Sequence, residues 1–280
     1  MARAQAATII IRPAGAGWLR IGEHLRRLAE YSDLLRTLNA HRINVRYRQT
    51  VLGATWAVLQ PLLMMAIFVT VFSYLARVPS EGVPYAVFAY VALLPWTFFS
   101  TAVTNATGSL VSHTQLITKV YFPREILPLT YVVAAFFDFL LGLVVLGGLM
   151  MWFDIPLTIA AAHLIPVVAL LCAWIVAVSL LLSAAQVYWR DVGVAIPVLV
   201  QLGMFASPVI YPLGLVPDAW RPWYLLNPLA GIINSFRDVL LRGQQPEPLP
   251  LAYAMAVTAV VLPLAYVLFK RAEATMADVV

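Results

Sequence analysis

The sequence predicts an all-α integral membrane protein: six transmembrane helices, an amphipathic helix before them at the inner surface, and re-entrant helices between spans five and six. Three observations carry this. Six almost wholly apolar stretches of about 18 to 27 residues lie between residues 55 and 269, the length a helix needs to cross the hydrocarbon core of a bilayer. Hydrophobic residues make up 62% of the 280 and charged residues only 11%; a soluble domain has roughly a quarter charged, so a soluble fold is excluded. The basic residues also divide unevenly between alternate loops, 14 against four. By the positive-inside rule this puts both termini in the cytoplasm.

Residues 1–29 form a cytoplasmic tail and the start of the amphipathic helix. Only the short run from Ala6 to Ile11 is apolar, too little for the h-region of a cleaved secretory signal, so a retained, disordered tail is expected. Ile21, Leu25, Leu28, Tyr31, Leu35 and Leu38 then recur every three or four residues, with Arg20, Glu23, Arg26, Arg27, Glu30 and Arg36 mostly off that stripe. Such a helix is too charged to span and suits the inner-leaflet interface. It continues over 30–54 through Arg42, Arg46 and Arg48. A plain anchor and a platform that also touches a cytoplasmic partner both fit.

The spans are predicted at 55–76, 85–107, 127–152, 164–187, 194–211 and 249–269. Trp56, Tyr188 and Trp189 fall at the inner interface and Tyr74, Tyr85, Trp152 and Tyr211 at the outer one, where aromatic rings anchor membrane helices. Between spans two and three, the cytoplasmic segment 109–126 alternates polar and aromatic residues with few charges. A short helix ending before Pro123 would present side chains to a partner, since the residue before proline is biased away from helix; a structural turn is the plainer reading.

Asp138 in span three is the one acidic residue placed inside the bilayer, and a structural role at a helix contact is expected of it. Pro95, Pro197, Pro208 and Pro263 interrupt spans two, five and six, freeing carbonyls that a neighbouring helix or a water-lined cavity must satisfy. Span five, with Gln201, Ser207 and two of these prolines, reads as cavity-lining. In the external segment 212–248, residues 223–236 are too short to cross and too apolar to float in water, so a re-entrant pair of half-helices hinged at Asn227 and Pro228 is expected. Trp220, Trp223 and Tyr224 flank it, and aromatic faces suit the apolar C–H faces of sugar rings. The tail covers 270–280.

Several chemistries are missing. Neither Lys119 nor Lys270 completes a GxxxxGK[ST] phosphate loop, so the chain is not expected to bind ATP in that manner or to be an enzyme. His24, His41, His113 and His163 show no metal spacing, and Cys172 is the single cysteine, which leaves no zinc set and no intrachain disulfide. The net charge of +5 follows from arginines beside spans that meet anionic lipid, and no nucleic-acid module is needed. Either the protein moves something down a gradient or a partner supplies the energy.

Six stretches carry a family resemblance: Arg46-Tyr-Arg-Gln-Thr-Val-Leu-Gly-Ala-Thr-Trp-Ala-Val-Leu-Gln-Pro-Leu62, Leu93-Leu-Pro-Trp-Thr-Phe-Phe99, Leu116-Ile-Thr-Lys-Val-Tyr-Phe-Pro-Arg124, Tyr188-Trp-Arg-Asp191, Phe205-Ala-Ser-Pro-Val-Ile-Tyr211 and Leu226-Asn-Pro-Leu229. In this order and spacing, over roughly residues 40–280, they resemble the ABC-type polysaccharide export permeases, the membrane subunits of O-antigen and lipopolysaccharide exporters. The resemblance implies a homodimer in the bacterial cytoplasmic (inner) membrane, resting on two copies of a cytoplasmic ATPase that binds ATP and magnesium. Lipid-linked polysaccharide would pass along the dimer axis.

The resemblance also assigns roles. Trp56, Gln60, Gln201, Phe205 and Tyr211 would line the path, and Trp220, Trp223, Tyr224, Asn227 and Pro228 a periplasmic gate. His113, Gln115, Lys119, Tyr121, Pro123, Arg124 and Glu125 would couple to the ATPase, and Arg42, Arg46 and Arg48 belong to its interface helix. An ABC exporter of another lipid-linked polymer, a small lipid or a drug is the nearest alternative. A membrane enzyme acting on lipid-linked sugars would want clustered carboxylates, and Asp218, Asp238 and Glu247 are scattered.

Overall fold

The computed structural model describes residues 31–48, 53, 55–120 and 122–279. These are helical with irregular connections. Helix α1 (Ser32–Arg48) leads to α2 (Thr55–Phe68), which runs on as a π-helical turn over Val69–Leu75. Then come α3 (Tyr85–Thr107), the short α4 (Ser109–Ser112) and α5 (Thr114–Lys119), α6 (Ile126–Trp152), α7 (Leu164–Tyr188) behind a 3-10 turn at Ile159–His163, and α8 (Val192–Phe205). A 3-10 turn at Leu213–Leu215, α9 (Arg221–Leu225), α10 (Pro228–Leu240), α11 (Pro248–Glu273) and α12 (Met276–Val279) complete the order.

Among the described residues, five helical segments are long and apolar enough to cross a membrane: Val58–Leu75, Tyr85–Thr107, Ile126–Trp152, Ile159–Tyr188 and Pro248–Glu273. Where sequence predicts a fifth span over 194–211, the structure has the 14-residue α8 followed by an irregular stretch. At about 1.5 Å per residue α8 covers roughly 21 Å, short of the ~30 Å hydrocarbon thickness. Pro208 and Pro212 explain the break: neither has an N–H to continue the ladder. Pro61, Pro95, Pro197 and Pro263 lie within helices that stay continuous across them.

Helix α3 is the hub. It packs against α2, α6, α7, α8 and α10, and 17 of its 23 residues are buried, far more of its length than in the α2 span. Residues from Val87 to Ala92 are fully enclosed, and Phe98 stacks on Phe139 of α6 at 5.2 Å between ring centres. A helix apolar on every side can be buried by protein or lipid alike; here the protein wins because five neighbours share it. The lightly buried helices α2, α8 and α11 are left with broad apolar faces such as Leu63, Ile67, Val194, Leu202 and Val260.

A second apolar cluster closes the end of the bundle where α1 lies, the end that the sequence is expected to place on the inner side. Leu110, Ile117, Phe122, Ile126, Leu180, Val187, Phe269 and Met276 form it, with Leu34, Leu35 and Leu38 of α1 packed on its edge. The predicted interface helix therefore docks on protein through part of its apolar stripe, and it packs against α6.

Gly231 on α10 is set by close packing: a Cβ there would run into the Pro250 carbonyl oxygen of α11. Backbone cannot yield as a side-chain tip can, so Gly231→Val is expected to lower stability by about 1–3 kcal/mol. Thermal unfolding in detergent checks this, and an unchanged midpoint would mean α10 does not press on α11.

Candidate functional site

Polar side chains gather at the two ends of the bundle. At the outer end, residues 207–211 follow α8 without helical hydrogen bonds, and their carbonyls must be satisfied in an apolar surrounding. Arg237 of α10 does most of this. It is fully buried, and its guanidinium donates to the carbonyls of Pro208 at 2.6 Å, Val209 at 2.8 Å and Tyr211 at 3.0 Å. The planar fork, with several N–H groups at fixed angles, suits diverging acceptors better than a point-like ammonium would. Its plane lies 3.8 Å over the Phe88 ring of α3, a cation–π contact strengthened by desolvation.

Two tyrosines answer further carbonyls at the break. Tyr85 donates to the Ile210 carbonyl at 2.8 Å and Tyr211 to the Phe205 carbonyl at 2.8 Å. Asn227 caps α10, accepting from the Leu229 amide at 3.1 Å and donating to Ser207 at 2.8 Å. The Tyr211 and Tyr224 hydroxyls bond to each other. The break and the α9–α10 hairpin are thus joined by five side chains.

Asp238 and Arg242 extend the network outward. Asp238 accepts from Asn234 at 3.2 Å, from the Glu247 amide at 3.0 Å and from Arg242. Arg242 also donates to both oxygens of Glu81, at 2.7 and 2.8 Å. Burial pulls the Arg242 pKa down, but hydrogen bonding to Glu81 and the charge of Asp238 outweigh it and leave it raised. The loop between α2 and α3, the hairpin and the start of α11 meet at this Arg242–Asp238 pair.

At the inner end, Lys270 near the foot of α11 donates to Glu125 at 2.7 Å and to Glu273 at 2.8 Å. The Arg124 amide donates to the Glu273 carboxylate at 3.0 Å, and its guanidinium to the Glu273 carbonyl at 2.6 Å. Tyr188, ending α7, donates to the Ala272 carbonyl at 2.9 Å. Burial pushes the Glu125 carboxyl pKa up, with Lys270 partly opposing it. Around this knot Gln115, Thr118, Lys119 and Val120 stay exposed, as do Trp189, Arg190 and Asp191.

A family model described as ABC-2 type transporter matches residues 33–241. The chain belongs to the ABC-2 type transporter family. It is 32% identical over 257 residues to an O-antigen export system permease protein, RfbA, of Myxococcus xanthus, covering 91% of this chain and 98% of that relative. A protein of the same name from Klebsiella pneumoniae is 28% identical over 212 residues, 75% of this chain and 81% of the relative. The polysialic acid transport protein KpsM of Escherichia coli is 23% identical over 242 residues, 84% and 91% of the two chains. The chain is thus a multi-pass membrane subunit of an ABC transporter.

Within this ABC-2 subunit, Trp56 and Gln60 lie on α2 and Gln201 and Phe205 on α8, all four exposed, while both helices lean on α3. Gln60 and Asp138 face one small cleft between α2, α3 and α6, with Thr97 and Thr101. Tyr211, Tyr224, Asn227 and buried Pro228 join the outer network, whereas Trp220 and Trp223 stand 66% and 70% exposed. Tyr85, expected as an outer-interface anchor, is instead buried and holds the break.

In the segment expected to couple, the His113 ring bonds the Ser109 carbonyl at 2.8 Å, Gln115 and Lys119 face out, and Pro123 is half-buried. Arg124 and Glu125 turn inward to α11, and Tyr121 lies outside the described residues. Arg42 stacks over the Tyr131 ring at 3.2 Å; Arg46 and Arg48 lie on α1 with side chains outside the described residues. Sequence reading missed Arg237, counted only as an external cation, and Lys270, counted only as an inner one. No local pattern in the sequence marked either residue as a partner of a distant segment.

Arg237→Lys keeps the charge and loses the fork. Leaving at least one buried carbonyl unpaired costs about 1–3 kcal/mol, so a loss of this size is expected in detergent unfolding, with Tyr85→Phe giving about 1 kcal/mol through Ile210. If Arg237→Lys unfolds with the parent, the clamp is not what holds the break.

Proposed function

We propose that this chain is the membrane-spanning permease of an ATP-driven exporter that moves lipid-linked polysaccharide, such as O-antigen, across the bacterial inner membrane. The observation that carries the reading is the similarity to an O-antigen export permease over 91% of this chain and 98% of that relative. Matching over whole lengths favours the same job over a shared fragment. Two copies form the channel, and both termini are cytoplasmic. The energy comes from two copies of a separate ATPase that binds ATP and magnesium.

The geometry supports a division of labour. The exposed faces of α2 and α8, with Trp56, Gln60, Gln201 and Phe205, are the apolar and weakly polar surfaces that a second copy would complete into a path ending at Tyr211. Trp220 and Trp223 offer flat aromatic faces at the outer mouth, where Tyr224, Asn227 and Pro228 fix the hairpin as a gate. At the inner end, Gln115, Lys119 and Val120 are the docking surface for the ATPase, with α1 beside it. Closure of the ATPase pushes this surface and parts the two subunits, admitting the lipid-linked glycan from the inner leaflet. Only contacts that differ between the two states can transmit such a push.

Two outcomes are expected. Deleting the gene should remove the exported glycan from the cell surface, with the parent chain restoring it; an unchanged surface-glycan profile on gels would overturn the export reading. Val120→Asp places a charge where an apolar side chain would dock, and it should weaken co-purification of the ATPase about tenfold or more, roughly 1.4 kcal/mol. Parental co-purification would put the docking surface elsewhere.

A further inference from the structure

Helix α11 is tied at both ends to the two regions that an exporter must make act together. At its outer end the Glu247 amide is held by Asp238 at 3.0 Å, and the Pro250 carbonyl sits against Gly231 so closely that no Cβ would fit. Both partners belong to α10 of the outer hairpin. At its inner end Lys270 binds Glu125 at 2.7 Å, and Arg124 binds the Glu273 carbonyl at 2.6 Å. Both of those partners close the coupling segment.

Between its ends α11 packs along one side only. Five of its 26 residues are buried, Pro250, Ala254, Thr258, Ala265 and Phe269, mostly small and along one stripe. It packs along α7, whose buried residues include Ala177, Ser179, Ser183 and Ala184. Small residues let helices approach closely, and packed helices shift by small sliding movements. A 26-residue helix, about 39 Å long at 1.5 Å per residue, gripped at its ends and smooth along its side, transmits displacement rather than absorbing it.

We infer that α11 is a push-rod carrying movement of the ATPase-facing segment to the outer hairpin, with Lys270 as the positioning residue that fixes its inner end. The inference rests on the export reading above and adds the route within one subunit. Lys270 suits the task because one ammonium bridges two carboxylates from different segments while itself half-buried. Its loss would leave Glu125, 2% exposed, as a buried carboxylate without its cation, and the coupling segment would part from the helix.

The test uses the complex of this chain with its ATPase in lipid nanodiscs. In a Cys172→Ser background, Leu226→Cys places a thiol on the exposed turn between α9 and α10, and its labelling by a membrane-impermeant maleimide is timed with and without ATP and magnesium. The parent is expected to show an ATP-dependent change of about threefold or more. Lys270→Met should bring that ratio close to one while ATP turnover stays within about twofold, and the swap Glu125→Lys with Lys270→Glu should restore it. Glu273→Gln, which spares the Lys270–Glu125 pair, replaces Lys270→Met if that variant does not assemble, and should give an intermediate ratio.

A parental ratio in Lys270→Met or Glu273→Gln would overturn the push-rod and leave the export reading standing. Loss without rescue by the swap would also overturn it, since Lys270 would then serve only local structure. A parent chain whose labelling ignores ATP would overturn the gate and the push-rod together.

Discussion

A backbone carbonyl in an apolar medium must find a donor, and at the break after α8 that donor is largely Arg237. Three carbonyls of residues 208–211 end on one guanidinium, which is why a helix too short to cross can sit in this bundle at all. The donor comes from α10, so the hairpin cannot leave without stranding those carbonyls. Tyr85 brings in the hub helix and Asn227 the hairpin's hinge, and the network continues through Asp238 and Arg242 to the loop before α3. The outer end of the molecule follows from one requirement, that freed polar groups be paired.

The inner end obeys the same rule with charges. Glu125 and Lys270 are costly to bury singly and tolerable as a pair with further hydrogen bonds, and Glu273 and Arg124 supply them. Together with the apolar cluster around Ile117, Phe122 and Phe269, the knot joins α1, the coupling segment and the foot of α11 into one body. A membrane subunit of an ABC transporter needs such a body, because force applied at a floppy loop would not travel.

The helices and their membrane class were legible because lipid imposes a long, nearly uniform apolar signal, and α3, α6, α7 and α11 begin and end close to where hydropathy puts them. The break between α9 and α10 at Asn227 and Pro228 was legible from local chemistry, an asparagine cap followed by a proline at the first helical position. What sequence could not show was which neighbour answers a freed carbonyl. Arg237 and Tyr85 lie 29 and 125 residues from the carbonyls they bind, and no local pattern links them. Likewise Lys270 reads as a charge beside a span end until the fold brings Glu125, 145 residues away, against it. Hydropathy also drew a full fifth span across the break, since Pro208 to Tyr211 are apolar enough to hide the loss of helix.

The central claim is that the outer hairpin is locked into the bundle by buried polar contacts. Hydrogen–deuterium exchange of the complex in nanodiscs, followed by mass spectrometry of peptides, tests it directly, because exchange reports the free energy of local opening. Amides of Pro228–Leu240 should be protected about as strongly as those of Tyr85–Thr107 and far more strongly than the exposed stretch 217–222. Exchange of Pro228–Leu240 as fast as that stretch would contradict the account.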